Sequence, residues 1–300
     1  MGQIFRADLL DFEKTVFPFV RIVYIDVDGN ERDGLLLIDS ASNKNMLSAG
    51  ILKYLSANDI IEGESHMFVG IQNQGKEGKA HNIVFSINGA SFREIFWEHS
   101  INFDEMLWDG NGLILGCVGN EFLINYGLIL DYKEQCLRQS DGSSINPNDC
   151  SFYFPLAFGM KRYQNPVVVA AKDNQKFILF ADSGCDCGWI SKKDMKAMGK
   201  EYHSLNSEDT FLSISYNEVT SLFNISFDLY TMLADNSLRT IAVDNNFRVS
   251  ENKNQLFDMK GQEYEGKPLL PVTGLIGSSF MLKNKWILDF NMGVIYSLYR

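Results

Sequence analysis

Apolar and polar positions along this chain fall into short runs, not long helical stripes. Stretches rich in Val, Ile, Phe and Leu are separated by turn formers such as Asp28-Gly29-Asn30, Asn88-Gly89 and Lys172-Asp173-Asn174. That pattern predicts a mainly β protein. Helix is expected as a minority element, with candidates at Ala49 to Ala57 and Ser191 to Gly199. Two of the apolar runs end on an acid: Leu35-Leu36-Leu37-Ile38-Asp39-Ser40-Ala41, and Phe177-Ile178-Leu179-Phe180-Ala181-Asp182-Ser183-Gly184.

These two runs align without gaps at a separation of 143 residues, which carries Asp39 onto Asp182, Ser40 onto Ser183, Leu47 onto Ile190 and Lys53 onto Lys196. A second pair of blocks lies near the end of each half. Cys117-Val118-Gly119-Asn120-Glu121-Phe122, continuing to Leu128-Ile129-Leu130-Asp131-Tyr132, matches Leu275-Ile276-Gly277-Ser278-Ser279-Phe280, continuing to Trp286-Ile287-Leu288-Asp289-Phe290. Gly119 falls on Gly277 and Asp131 on Asp289. The same two blocks in the same order, twice, indicate an internal duplication. Between the copies, the segment from Gln139 to Asp149 is polar and rich in turn formers. It predicts a connector, with lobes at 1–145 and 146–300.

An acid at the end of a wholly apolar strand is desolvated on one side, and a small residue after it leaves room for a tight turn whose amides can hold the carboxylate. Taken alone, such an Asp-Ser more often marks a turn or a helix N-cap. Two copies in duplicated lobes change the expectation. If the lobes pack about a pseudo-twofold axis, equivalent residues near the axis face each other, so Asp39 and Asp182 would form one site. Asp131 and Asp289, also repeated, are expected to begin turns.

In these four blocks the chain resembles the pepsin and retropepsin superfamily of aspartic proteases. Its motif is apolar-apolar-Asp-Thr/Ser-Gly, followed later in each lobe by apolar-apolar-Gly. The late block of the second half looks particularly like retropepsin-like bacterial members, and the resemblance runs from about residue 20 to 295. It implies an all-β fold of two pseudo-symmetric β-barrel-like lobes with few short helices, and a cleft crossing both. It implies catalytic roles for Asp39 and Asp182, with Ser40 and Ser183 cross-bracing the lobes and Gly119 and Gly277 packed beneath the active-site loops. The activity implied is endopeptidase hydrolysis of a polypeptide, with no cofactor and no metal. A member of this kind needs a hairpin over its substrate, and Gly70, Gln72 and Gly75 lie in a Gly-rich polar segment that suits a flap; an ordinary surface hairpin is the competing reading. Two departures stand out. Ala41 occupies the position of the motif glycine, where Gly184 is retained, and Asp186 follows the second motif between Cys185 and Cys187. They keep open a second class, a relative that binds peptide without cutting it.

Composition narrows the remaining classes. A formal net charge of −11, with scattered Lys and Arg, works against nucleic acid as a partner. No run reaches the roughly 18 apolar residues of a membrane span, and no secretory signal is visible, so a cytoplasmic location is the default expectation. The five cysteines are odd in number and irregular in spacing, which reads as reduced structural thiols. The four histidines, His66, His81, His99 and His203, lack metal-ligand spacing and are expected at the solvated surface.

Overall fold

The computed structural model describes residues 5–10, 15–69, 75–99, 103, 113–173, 175–198, 202–213, 216–250, 263–269 and 271–299. In the first half, strands Phe19–Ile25, Glu31–Ile38, Ile114–Val118, Asn45–Leu47, Ala90–Glu98 and Gly75–Ile87 lie side by side in that order. The last pairs back onto the first through Val23↔Ser86 and Tyr24↔Phe85, which closes a six-stranded barrel. In the second half, Val167–Lys172, Gln175–Ala181, Val272–Ile276, Gly188–Ser191, Leu238–Ser250 and Tyr216–Met232 repeat the arrangement strand for strand. Ala170↔Leu229 closes this second barrel. The chain is all-β and two-lobed, with few short helices.

A third sheet joins the lobes. Its order is Arg6–Asp8, Cys136–Gln139, Leu128–Asp131, Ile287–Asp289, Val294–Leu298, Cys150–Pro155, three strands from each side of the connector. The middle pair is antiparallel, with Leu130 opposite Leu288, so the local twofold passes between the two copies of the late block. Asp131 and Asp289 end their strands as expected. Each carboxylate accepts an N–H three residues on, from Glu134 at 2.9 Å and from Met292 at 2.8 Å. One cluster of buried apolar side chains runs from Phe85, Phe96 and Phe122 through Leu130 and Leu288 to Phe227 and Phe247. Phe152 stacks on Trp286 within it, ring centroids 4.7 Å apart.

The strands that lead to the two acids are covered on both faces, which explains their unbroken apolar runs: Leu36, Ile38, Leu179 and Ala181 join the main core, while Leu35 and Leu37 pack with Phe19 and Phe103, and Ile178 and Phe180 with Trp189 and Leu275. Leu36 to Ile38 pair in parallel with Gly116 to Val118 on one side and antiparallel with the first strand on the other. Leu179 to Ala181 do the same with Gly274 to Ile276 and with Val167–Lys172.

One helix is where the sequence puts it, Lys192–Met198, with the Ser191 hydroxyl accepting the Asp194 N–H at 3.0 Å. The other is not. Residues 49–57 hold only a 3₁₀ turn at Leu52–Tyr54, and a second follows at Ala57–Asp59. Ser56 interrupts any helix there: its hydroxyl accepts the Asn58 N–H while its own N–H goes to the Asp59 carboxylate at 2.8 Å. This local capping box starts a new turn instead of continuing the old one. Among the described residues no helix is long and apolar enough to cross a membrane.

Candidate active site

Each acid sits one residue beyond its central strand, where the chain turns tightly. Asp39 is buried, 8% exposed, and its carboxylate accepts the N–H groups of Ala41 and Ser42, both at 3.0 Å. Asp182 is half-buried and accepts the N–H of Gly184 at 2.9 Å. The two carboxyls meet across the lobe boundary, close enough for each to bias the protonation of the other.

The two serines clamp this pair. Ser183 Oγ accepts the Ser40 N–H at 2.7 Å and donates to the Ile38 carbonyl at 2.6 Å. Ser40 Oγ accepts the Ser183 N–H at 2.9 Å and donates to the Ala181 carbonyl at 2.7 Å. Both serines are fully buried, so these four bonds satisfy groups that water does not reach. Ser40, Ser183, Asp39 and Asp182 thus come together as the repeat predicts.

Gly119 and Gly277 lie beneath the two turns and start short helices, Asn120–Asn125 and Ser278–Lys283. A β-carbon on Gly119 would come within 2.5 Å of the Ser42 carbonyl oxygen, and one on Gly277 within 2.5 Å of that of Cys187. Close backbone approach, not an unusual φ, requires glycine at both. Gly184 is held for a related reason: a β-carbon there would stand 2.6 Å from the carboxyl carbon of Asp39.

Burial acts on both carboxyls, disfavouring their charged forms. It pushes Asp39 up to about 6, against the lowering effect of the Ala41 and Ser42 amides and of the bond from Asp182. Asp182 is raised well above the ordinary value, first by burial and then by the negative charge of Asp39. Two carboxyls in one dry site cannot both ionise cheaply, so the pair keeps one proton over a wide range of pH.

Several features of the site were not read from the sequence. Tyr132, fully buried, exchanges a 2.7 Å hydrogen bond with Ser278 Oγ, which donates to the Ser183 carbonyl at 2.8 Å. A residue at the end of the first lobe's late block therefore braces the turn of the second acid. Burial first, and then the charges of the two acids, push the Tyr132 hydroxyl up, so it stays protonated. On the opposite side, Asn120 donates to the Asn43 side chain at 3.2 Å and to the Gln164 carbonyl at 2.9 Å. Asn165, with its amide turned to satisfy its neighbours, donates to the Ala41 carbonyl at 2.7 Å. The signal was present in the repeat as mismatches, Tyr132 against Phe290 and Asn120 against Ser278.

Asp186 does not join the pair. Its carboxylate takes the Cys187 N–H at 2.6 Å and an ion pair with the largely buried Arg248 at 3.2 Å. All five cysteines are buried and free of disulfides, and burial raises the thiols of Cys185 and Cys187 far above their usual range. Among the described residues no three His, Cys, Asp or Glu side chains gather as metal ligands. The expectation of surface histidines fails at His81, which is 3% exposed and bonds Glu98 at 2.9 Å. It lies on Gly75–Ile87, opposite Phe96, where the strand faces the barrel interior.

Of the flap residues, Gly70 and Gln72 lie outside the described residues. Gly75 opens the return strand of the hairpin formed by Ile60–Val69 and Gly75–Ile87. A second hairpin, Tyr202–Ser213 with Tyr216–Met232, occupies the equivalent place in the other lobe. Its sequence lacks the glycines that drew attention to the first. No family model matches the chain, and no curated protein matches it.

Proposed function

We propose that the protein is an aspartic endopeptidase of the pepsin and retropepsin superfamily, cutting a polypeptide held between its lobes with water activated by Asp39 and Asp182. The observation that carries this reading is the reciprocal serine clamp, which holds two turns from duplicated lobes so that their carboxyls face each other across the lobe boundary. A pair that keeps one proton can act as base and acid at once. The ionised member takes a proton from water as the water oxygen attacks the scissile carbonyl carbon. The protonated member gives its proton to the carbonyl oxygen, and a neutral gem-diol results. On collapse, one diol hydroxyl returns a proton to the newly ionised carboxylate, the other carboxyl protonates the departing nitrogen, and the C–N bond breaks. One water is consumed and the pair is restored, with no covalent adduct to the protein.

The five buried, protonated thiols fit a reducing compartment such as a bacterial cytoplasm. One observation favours a second reading, a peptide binder that does not cut: Ala41 places a methyl group where the family motif has glycine. The two readings separate by affinity for a tetrahedral mimic. A peptide carrying a carbinol in place of the scissile carbonyl is expected to bind at least about a hundredfold tighter than the matched amide peptide. Equal affinity for the two, measured by calorimetry, would remove the enzyme reading and leave the binder.

A further inference from the structure

The two halves of the site are not equivalent, and the difference lies in the turns. Asp39 has two amide donors, Ala41 and Ser42, whereas Asp182 has one, Gly184. The residue that matches Ser42 in the repeat is Cys185. Both N–H groups reach the main-chain oxygen of their acid, at 3.3 Å for Ser42 and 3.4 Å for Cys185, but only that of Ser42 also bonds the carboxyl. The duplication also supplies a reason. A β-carbon on Gly184 would stand within 2.6 Å of the Asp39 carboxyl, and Ala41, which matches Gly184 across the pseudo-twofold, carries that carbon. By that equivalence its methyl belongs on the Asp182 side of the site.

We propose, building on the peptidase reading, that Ala41 is a positioning residue that gives the pair a fixed direction. Its methyl holds the Asp182 carboxyl off the second turn amide, so Asp182 carries the shared proton and donates it, while Asp39 takes the proton of the attacking water. Amide donors stabilise the charged form of a carboxylate. Asp39 is the carboxylate with more amide donors, and the charge settles there although Asp182 is the more exposed of the two. The groups facing Asp182 do not reverse this. They are Asp39, Tyr132, Cys185 and Cys117, and apart from Asp39 all stay neutral because burial raises each of them. Asp186, the remaining nearby acid, is held by Arg248.

The test is a carboxyl ¹³C titration of aspartate-labelled protein with Ala41→Gly, alongside the pH dependence of peptide cleavage. Asp39→Asn and Asp182→Asn assign the two signals. In the wild type, Asp39 is expected to titrate first and Asp182 at higher pH. In Ala41→Gly, Asp182 should gain an amide donor, and its titration should move down by at least about one pH unit. The alkaline limb of the cleavage profile should fall by the same amount. Asp186→Asn is the control and should leave both signals in place. An unchanged Asp182 titration in Ala41→Gly, or wild-type Asp182 ionising before Asp39, overturns the inference. Absence of cleavage with the titration shift intact would overturn the peptidase reading alone.

Discussion

At the scale of single residues, the acids are the costly groups. Both Asp39 and Asp182 are raised in the fold, so the folded protein binds protons more tightly than the unfolded chain. The stability this contributes is fully present below the ordinary carboxyl value of 3.8 and is lost as pH rises through about 6. The double variant Asp39→Asn/Asp182→Asn removes the buried charge while keeping an acceptor for the turn amides. It is expected to be more stable than wild type at pH 8 by on the order of 3 kcal/mol. In urea unfolding the difference should nearly vanish at pH 3.5, and an equal difference at both pH values would contradict the burial account. The acids themselves were legible because each ends a doubly apolar strand and each occurs twice. The direction of the Asp186 carboxylate was not, because its partner Arg248 is distant in sequence and only the fold brings them together.

At the scale of elements, the serine clamp ties two turns that are far apart in the chain. Each hydroxyl satisfies one buried N–H and one buried carbonyl of the other lobe, so Ser40→Ala leaves the Ser183 N–H and the Ala181 carbonyl unpaired. A loss of about 2–4 kcal/mol is expected from two such groups. Because Ser40 and Ser183 serve the same junction, Ser183→Ala should cost much less in a Ser40→Ala background than in wild type. A double-mutant cycle giving a coupling below about 0.5 kcal/mol would mean that the clamp does not act as a unit. Strands were readable from their apolar runs and turns from their glycines and asparagines. The Asn88-Gly89 turn, for example, has φ of 46° and 80° at its two residues. Short helices were harder, since one capping serine, Ser56, sufficed to replace a helix at 49–57 with two 3₁₀ turns. The second hairpin was missed because its two long strands pair, with a register shift between Ser204 and Glu208, without a glycine-rich segment to mark them.

At the scale of the whole molecule, duplication explains both what the sequence disclosed and what it withheld. The blocks that are repeated became the matching parts of the two barrels and the central pair of the shared sheet. Where the copies diverge, the structure uses the difference. Tyr132 and Asn120 brace the two acidic turns by different chemistry, and Ala41 opposes Gly184 across the site. Divergence shows in a sequence as mismatch, which carries no direction until the lobes are packed together. If Asp39 and Asp182 form one hydrolytic site, cleavage requires both. The most direct measurement is cleavage of an unstructured polypeptide from pH 3 to 8 by wild type, Asp39→Asn and Asp182→Asn, each shown to be folded by circular dichroism. Cleavage by wild type is expected, falling by at least about a thousandfold in both variants, since neither Asn can exchange the proton. Undiminished cleavage in either variant, or no wild-type cleavage at any pH, would contradict a shared hydrolytic site.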